Sequence, residues 1–152
     1  ANAARYDKLN SSYKTQALSE YDRIRNTIKS EFAGSKIGMT ESVFAPMAED
    51  LQLPVATPGS FQKAIAEGET PSAKDKQTVD DQIAARAISV LIYNSQNSTP
   101  DVTALAEKAR RNGIPVVTVT ESLQPDSATF QKWQTAQLTE MLRALREGAS
   151  ND

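Results

Sequence analysis

The chain has 152 residues, with 17 Lys and Arg against 19 Asp and Glu and a net charge of -2. This length predicts one domain that buries most of its apolar surface, and the slightly acidic balance argues against a nucleic-acid partner, which needs clustered Lys and Arg. Because the sequence has no Cys and no His, thiol and imidazole chemistry, Ser-His-Asp triads and zinc sites built from Cys and His are excluded within the chain itself.

Apolar side chains recur at three- and four-residue spacing from Ala3 to Phe32, which predicts one amphipathic helix. Thirty residues at about 1.5 Å each would reach roughly 45 Å, more than one sheet of a small domain needs. We therefore expect the helix to continue into a part of the protein that is absent here. Two shorter helices, broken near Asn10–Ser12, are the alternative. The chain begins inside this pattern without an initiator Met, so we expect a longer protein.

Short apolar runs then alternate with amphipathic segments of helical period. The runs predicted as strands are Lys36–Thr40, Leu53–Ala56, Ser89–Tyr93 and Pro115–Thr120. Pro46 fits the first turn of the helix after the first strand, and Ser72 and Thr99 fit helix N-caps. The last helix should run from Ala128 to about Glu147, with Phe130 among its packed side chains. This order predicts an α/β fold, a three-layer sandwich with a parallel sheet of about four strands, preceded by the long helix.

The same tripeptide follows two of these strands, first as Thr40-Glu41-Ser42 and again as Thr120-Glu121-Ser122. The carboxyl ends of parallel strands meet at one edge of a sheet, so both carboxylates and Asn94, at the end of a third strand, should face one crevice. Two neighbouring carboxylates repel each other unless a cation lies between them. A shared site for one divalent metal ion is therefore one hypothesis.

Other interpretations of the repeated tripeptide stay open at this point. Its Thr and Ser residues could cap the helices that follow, with Glu41 and Glu121 as acids favoured by the helix dipole. The two acids could also form the general acid and base of a glycoside hydrolase, although Trp133 falls on a helix stripe and favours the core over a sugar platform. No glycine-rich loop follows either strand, so nucleotide binding has no support.

Five segments in this order resemble a known family. The segments are ANAARYDKL, TESVFAPMAEDL, FQKAIAEGETPSAKDKQTVDDQI, VLIYNSQ and GIPVVTVTESL. They resemble the carboxyl-terminal lobe of the substrate-binding proteins of zinc and manganese ABC importers. The resemblance implies that residues 1–34 are the end of the helix that links two lobes, that residues 35–152 form the carboxyl-terminal lobe, and that the amino-terminal lobe is absent.

The resemblance also implies a metal site with two ligands from each lobe. The positions that match are Glu41 and Glu121, with Thr40, Asn94 and Thr120 as candidates to support them, while two His would come from the other lobe. Many zinc-type members have His where this chain has Glu41, and manganese-type members have Glu. The implied cargo is Zn²⁺ or Mn²⁺, bound weakly or not at all by the isolated chain.

The implied partners are the missing lobe and an ABC membrane permease, and the implied location is extracytoplasmic, either periplasmic or anchored at the cell surface. No catalytic residue and no bound cofactor are expected. Two alternatives remain: a carboxylate-dependent α/β hydrolase that uses the same pair of acids, and a degenerate lobe that acts through protein contacts.

Overall fold

The structure, a computed structural model, describes residues 2–150 and has a parallel three-stranded sheet in the order β1-β2-β3. Strand β1 spans Ile37–Met39, β2 spans Val90–Asn94 and β3 spans Val116–Val119. Met39 lies beside Ile92, and Asn94 lies beside Val119. The carboxyl ends of the three strands therefore meet at the same edge of the sheet.

Helices flank this sheet and precede it. They are α1 (Asn2–Ser12), α2 (Ser19–Phe32), α3 (Ala45–Asp50), α4 (Gly59–Ala66), α5 (Ala73–Ala84), α6 (Pro100–Arg111) and α7 (Phe130–Ala149). A five-residue π-helical turn, Tyr13–Ala17, joins α1 and α2, and a 3₁₀ turn, Ser42–Phe44, precedes α3. In residues 2–150, no helix is long and apolar enough to cross a membrane.

The two faces of the sheet bury separate hydrophobic clusters, which makes the predicted three layers. Val90 and Ile92 of β2 point toward α2, α3 and α7, whereas Leu91 points toward α4, α5 and α6. All three side chains are almost fully buried, as expected for a central strand covered on both sides. The α/β sandwich predicted from the alternating elements is confirmed.

The sheet has three strands where about four were predicted. In the predicted strand Leu53–Ala56, only Val55 forms an isolated parallel bridge, opposite Ile37. Pro54 lies in the middle of this segment and has no backbone N–H to donate to a ladder. Two backbone hydrogen bonds connect this segment to β1, from Ile37 N to Pro54 O and from Ala56 N to Ile37 O. The segment therefore lies beside β1 without forming a fourth strand of the sheet.

The amino-terminal helix is interrupted, at Tyr13–Ala17 and not near Asn10–Ser12, so both predictions for it are wrong. The chain stays helical through Asn10–Ser12 and loses regular α geometry later, where Leu18 N bonds Tyr13 O. The Thr15 hydroxyl also donates to Ser11 O, a side-chain bond that competes with the helical ladder. Only the second half of the helical run packs on the sheet, because α1 has no buried residue whereas Ile24 and Ile28 of α2 are buried.

A charged contact also fixes α2 against α3. The Arg25 guanidinium donates to both carboxylate oxygens of Asp50, and Lys29 Nζ lies 3.4 Å from Asp50 Oδ1. These hydrogen bonds, that of Arg25 above all, lower the pKa of Asp50 to about 2, so the pair is ionised at neutral pH. Helix α3, which follows Glu41, is thus held to α2.

Several local predictions are confirmed and one is wrong. The Ser72 hydroxyl accepts from Asp75 N, and the Thr99 hydroxyl accepts from Val102 N, so both residues are N-caps. Pro46 lies in the first turn of α3. Phe130, predicted to pack with the last helix, is 55% exposed and contacts Trp133 edge to face, with ring centroids 5.9 Å apart.

Candidate metal centre

Glu41 lies two residues past the end of β1 with its side chain turned into the protein. Its backbone is extended, with φ -154° and ψ 178°, and only 5% of the residue is exposed. Asn94 Nδ2 donates to Glu41 Oε1, and Asn97 Nδ2 donates to Glu41 Oε2 at 3.0 Å. Both oxygens of this buried carboxylate are therefore fixed by neutral amide groups.

Glu121 lies two residues past the end of β3 and approaches the same amide from solvent. Asn94 Nδ2 donates to Glu121 Oε1 at 2.8 Å, in addition to its bond with Glu41. Glu121 is exposed, whereas Glu41 and Asn94 are buried. The structure thus brings Glu41, Asn94 and Glu121 together at the carboxyl edge of the sheet, with a single amide group between the two carboxylates.

The hydroxyl groups of Thr40 and Thr120 form hydrogen bonds with groups other than the two carboxylates. The buried Thr40 hydroxyl accepts from Asn94 N at 3.3 Å. The Thr120 hydroxyl accepts from Trp133 Nε1 at 2.9 Å and donates to Ser122 O at 2.8 Å, while Thr120 N donates to Gln137 Oε1. The 3₁₀ turn after Glu41 and helix α3 have no side-chain cap, and α7 is capped by Thr129, so the local geometry does not favour the interpretation of the tripeptides as helix caps.

Sequence reasoning missed Gln96 and Asn97, which follow Asn94 in the loop after β2. Asn97 bonds Glu41, and Gln96 Oε1 accepts from the backbone N–H of Glu121 at 2.7 Å. The signal in the sequence is three carboxamide side chains within four residues, directly after a buried strand. Trp133 was expected in the core; it is half-buried, and its indole N–H supports Thr120.

The two carboxylates have no cationic partner within the described part of the chain. The ion pairs of residues 2–150 include neither Glu41 nor Glu121. A buried carboxylate close to a second negative charge is costly unless positive charge compensates it. An amide donor offsets part of this cost, and a divalent cation held by both carboxylates would offset much more.

The described residues hold too few candidate ligands at this edge to bind a metal ion by themselves. Within residues 2–150, no three His, Cys, Asp or Glu side chains are arranged to hold a metal ion. The donors at this edge are carboxylate oxygens, which suit Mn²⁺ and also bind Zn²⁺. Both glutamates border a cleft of about 690 Å³, together with Gln96, Asn97 and the turn at Glu67–Gly68. Such a cleft leaves room for further ligands from outside this chain.

Comparison with known protein families identifies the class of protein. Residues 1–144, nearly the whole chain, match the family described as zinc-uptake complex component A, periplasmic. The chain belongs to this family, known as ZnuA, and the resemblance predicted from the five sequence segments is confirmed. The family is one of uptake components and not of enzymes. No curated protein sequence matches the chain.

Solved structures with a similar fold include two of the SBP FpvC from Pseudomonas aeruginosa. The structure in complex with Ni²⁺ has a TM-score of 0.56 and 18% identity, over 96% of this chain and 50% of that chain. The structure in complex with Mn²⁺ has a TM-score of 0.58 and 14% identity, over 96% and 56% of the two chains. This similarity confirms the fold, and the chain spans about half the length of either structure.

Proposed function

We propose that this chain is the carboxyl-terminal lobe of an extracytoplasmic binding protein that captures a divalent transition-metal ion and delivers it to an ABC permease. Family membership supports a role in metal uptake. The observation that carries the proposal for the site is the pair Glu41 and Glu121, which share one amide donor and have no cation partner in residues 2–150. Their combined charge of -2 matches one divalent ion.

Asn94 has two roles in this proposal. Its amide group donates to both carboxylates and so keeps them facing each other before the ion arrives. Because Asn94 is neutral, it adds no third negative charge between them. Thr40 and Thr120 would support the site indirectly. The Thr40 hydroxyl accepts a hydrogen bond from the backbone of Asn94, and the Thr120 hydroxyl accepts one from the indole of Trp133.

The amino-terminal helices fit the proposed link between two lobes, formed by residues 1–34, with residues 35–152 as the lobe itself. Tyr6, Leu9 and Tyr13 are 69%, 55% and 41% exposed, although they continue the apolar stripe whose later members are buried. Water contact with three such side chains is unfavourable, and a second lobe would remove it. We propose that the amino-terminal lobe packs on this stripe and supplies the remaining ligands, two of them His.

The cargo in this proposal is Zn²⁺ or Mn²⁺, and the two carboxylates alone do not distinguish them. Oxygen ligands move the preference toward harder ions such as Mn²⁺, whereas the intrinsic affinity of mixed nitrogen and oxygen sites rises toward Zn²⁺. The other lobe would therefore decide the selectivity. The proposed delivery to a membrane permease places the complete protein outside the cytoplasm, in the periplasm or anchored at the cell surface.

Calorimetric titration with Zn²⁺ and Mn²⁺ tests the division of the site between two lobes. We expect the complete protein to bind one ion tightly and this 152-residue chain to bind the same ion weaker by orders of magnitude, because two carboxylates are half of a coordination shell. Tight stoichiometric binding by this chain alone would place the site elsewhere. A complete protein that carries no metal in native mass spectrometry and takes up none would favour the degenerate lobe.

A further inference from the structure

The loop after β2 carries three carboxamide side chains, Asn94, Gln96 and Asn97, here called the carboxamide loop. The side-chain oxygen and nitrogen of Gln96 both form hydrogen bonds with the turn after β3. Gln96 Oε1 accepts from Glu121 N at 2.7 Å and from Ser122 N at 3.1 Å, and Gln96 Nε2 donates to Ser122 Oγ at 2.5 Å. One side chain therefore fixes two consecutive residues of a segment that is neither helix nor strand.

Glu121 needs such an external partner because nothing regular fixes its backbone. Strand β3 ends at Val119 and α7 begins at Phe130, so the segment between them has no ladder of its own. The Glu121 side chain is exposed, and among the described residues its carboxylate accepts a side-chain hydrogen bond from Asn94 alone. Without the bonds to Gln96, this carboxylate would sample several positions, and a metal ligand that must be ordered on binding binds more weakly.

Gln96 is itself attached to the buried strand. Gln96 N donates to Asn94 Oδ1 at 2.9 Å, and Ser95 N donates to Val119 O at 3.2 Å, which continues the pairing of β2 with β3. Hydrogen bonds thus run without a gap from the core through Asn94 to Gln96 and on to the backbone of Glu121. The same Asn94 amide meets the Glu121 carboxylate, so this residue is held at both its backbone and its side chain.

Asn97 does the corresponding work for Glu41. Its Nδ2 atom donates to Glu41 Oε2 at 3.0 Å and to Ile65 O at 3.0 Å. The second bond connects Asn97 to the end of α4, directly before the turn at Glu67–Gly68 that borders the cleft. Asn97 therefore links the Glu41 carboxylate to α4. Glu41 thereby receives a support from outside the sheet as well as the one from Asn94.

We propose that the carboxamide loop is the positioning element of this site: Gln96 orients Glu121 through its backbone, and Asn97 orients Glu41 through its carboxylate. The part of this proposal that concerns metal affinity rests on the proposed function. Loss of a group that supports a metal ligand typically lowers metal affinity by about 10- to 100-fold. Because Gln96 is exposed, water replaces its bonds and the stability of the fold changes little.

Two measurements on the complete protein test the positioning role of Gln96. In Gln96→Ala, hydrogen exchange of the Glu121 and Ser122 amides, followed by NMR without metal, should become faster. Gln96→Glu keeps an acceptor oxygen at the same place and should restore most of the protection. Calorimetry with Zn²⁺ and Mn²⁺ should show about 10-fold or greater loss of affinity in Gln96→Ala. The control is Gln77→Ala, which removes an exposed carboxamide whose contact is Asp81 on the same helix.

Double variants assign each carboxamide to its carboxylate. If Gln96 acts through Glu121, Gln96→Ala should cause no further loss of affinity in a Glu121→Ala background, and Asn97→Ala should cause none in a Glu41→Ala background. Unchanged amide exchange in Gln96→Ala, or fully additive losses in the double variants, would overturn the positioning role. Unchanged metal affinity in Glu121→Ala would instead contradict the proposed function, and the exchange measured without metal would still decide what Gln96 does.

Discussion

Replacement of Glu41 by Ala in the complete protein should weaken binding of the proposed cargo, Zn²⁺ or Mn²⁺, by more than about 100-fold, beyond the range seen when only a supporting group is lost. The reason is its burial. Glu41 is 5% exposed with both oxygens held by Asn94 and Asn97, so its carboxylate is already in place before a metal arrives. Calorimetry or competition with a chelator of known affinity measures the loss.

Two controls make this prediction specific. Glu49→Ala removes an exposed acid on α3, eight residues further along the chain, and should leave metal affinity within a factor of about two. Glu41→Gln keeps the size of the side chain and removes its charge, so it should lose affinity nearly as strongly as Glu41→Ala. An affinity for Zn²⁺ and Mn²⁺ that stays at the wild-type value in both Glu41 variants would refute the assignment of this ligand.

Replacement of Ile28 by Ala should destabilise the 152-residue chain by about 2–5 kcal/mol, the usual cost of emptying a buried aliphatic position. Ile28 lies on α2, is fully buried, and belongs to the cluster that also contains Met39 and Met141. The expected loss is large because the surrounding side chains come from a strand and a helix whose positions are fixed by the sheet. Urea denaturation followed by circular dichroism measures the free energy of unfolding.

Leu9→Ala is the matched control on the first half of the same helical run. Leu9 is 55% exposed on α1, so the substitution should change the stability of this chain by less than about 0.5 kcal/mol. In the complete protein, the proposed packing of the second lobe on Tyr6, Leu9 and Tyr13 predicts a larger loss for the same change. An equal effect of Leu9→Ala in both chains would contradict the proposed linking role of this helix.

The fold was largely predictable because its signals are local. Short, mostly apolar runs predicted β2 and β3, the Ser and Thr caps predicted the starts of α5 and α6, and Gly34 and Gly113 have positive φ where helices end. The two errors, in the fourth strand and in the amino-terminal helix, have causes that the spacing of apolar residues does not reveal. Pro54 limits the predicted fourth strand to one bridge. The apolar stripe extends into α1, although α1 has no buried residue and only α2 packs on the domain.

The position of the candidate site was predictable, whereas the hydrogen bonds that hold its two glutamates were not. The carboxyl ends of parallel strands lie at one edge of a sheet, so the alternation of strands and helices was enough to expect Glu41, Asn94 and Glu121 together. The bonds of Gln96 to Glu121 and of Asn97 to Glu41 join segments separated by 25 and 56 residues in the chain. Such bonds depend on side-chain rotamers and on the path of two loops, which no periodic pattern encodes.

The central claim is that Glu41 and Glu121 bind the transported ion, and a crystal structure of the complete protein grown with Zn²⁺ or Mn²⁺ tests it most directly. Anomalous scattering should place one ion with a carboxylate oxygen of each glutamate at about 2.0–2.2 Å, and with its remaining ligands from the other lobe. An ion bound elsewhere, with neither Glu41 nor Glu121 in its coordination shell, would contradict this account.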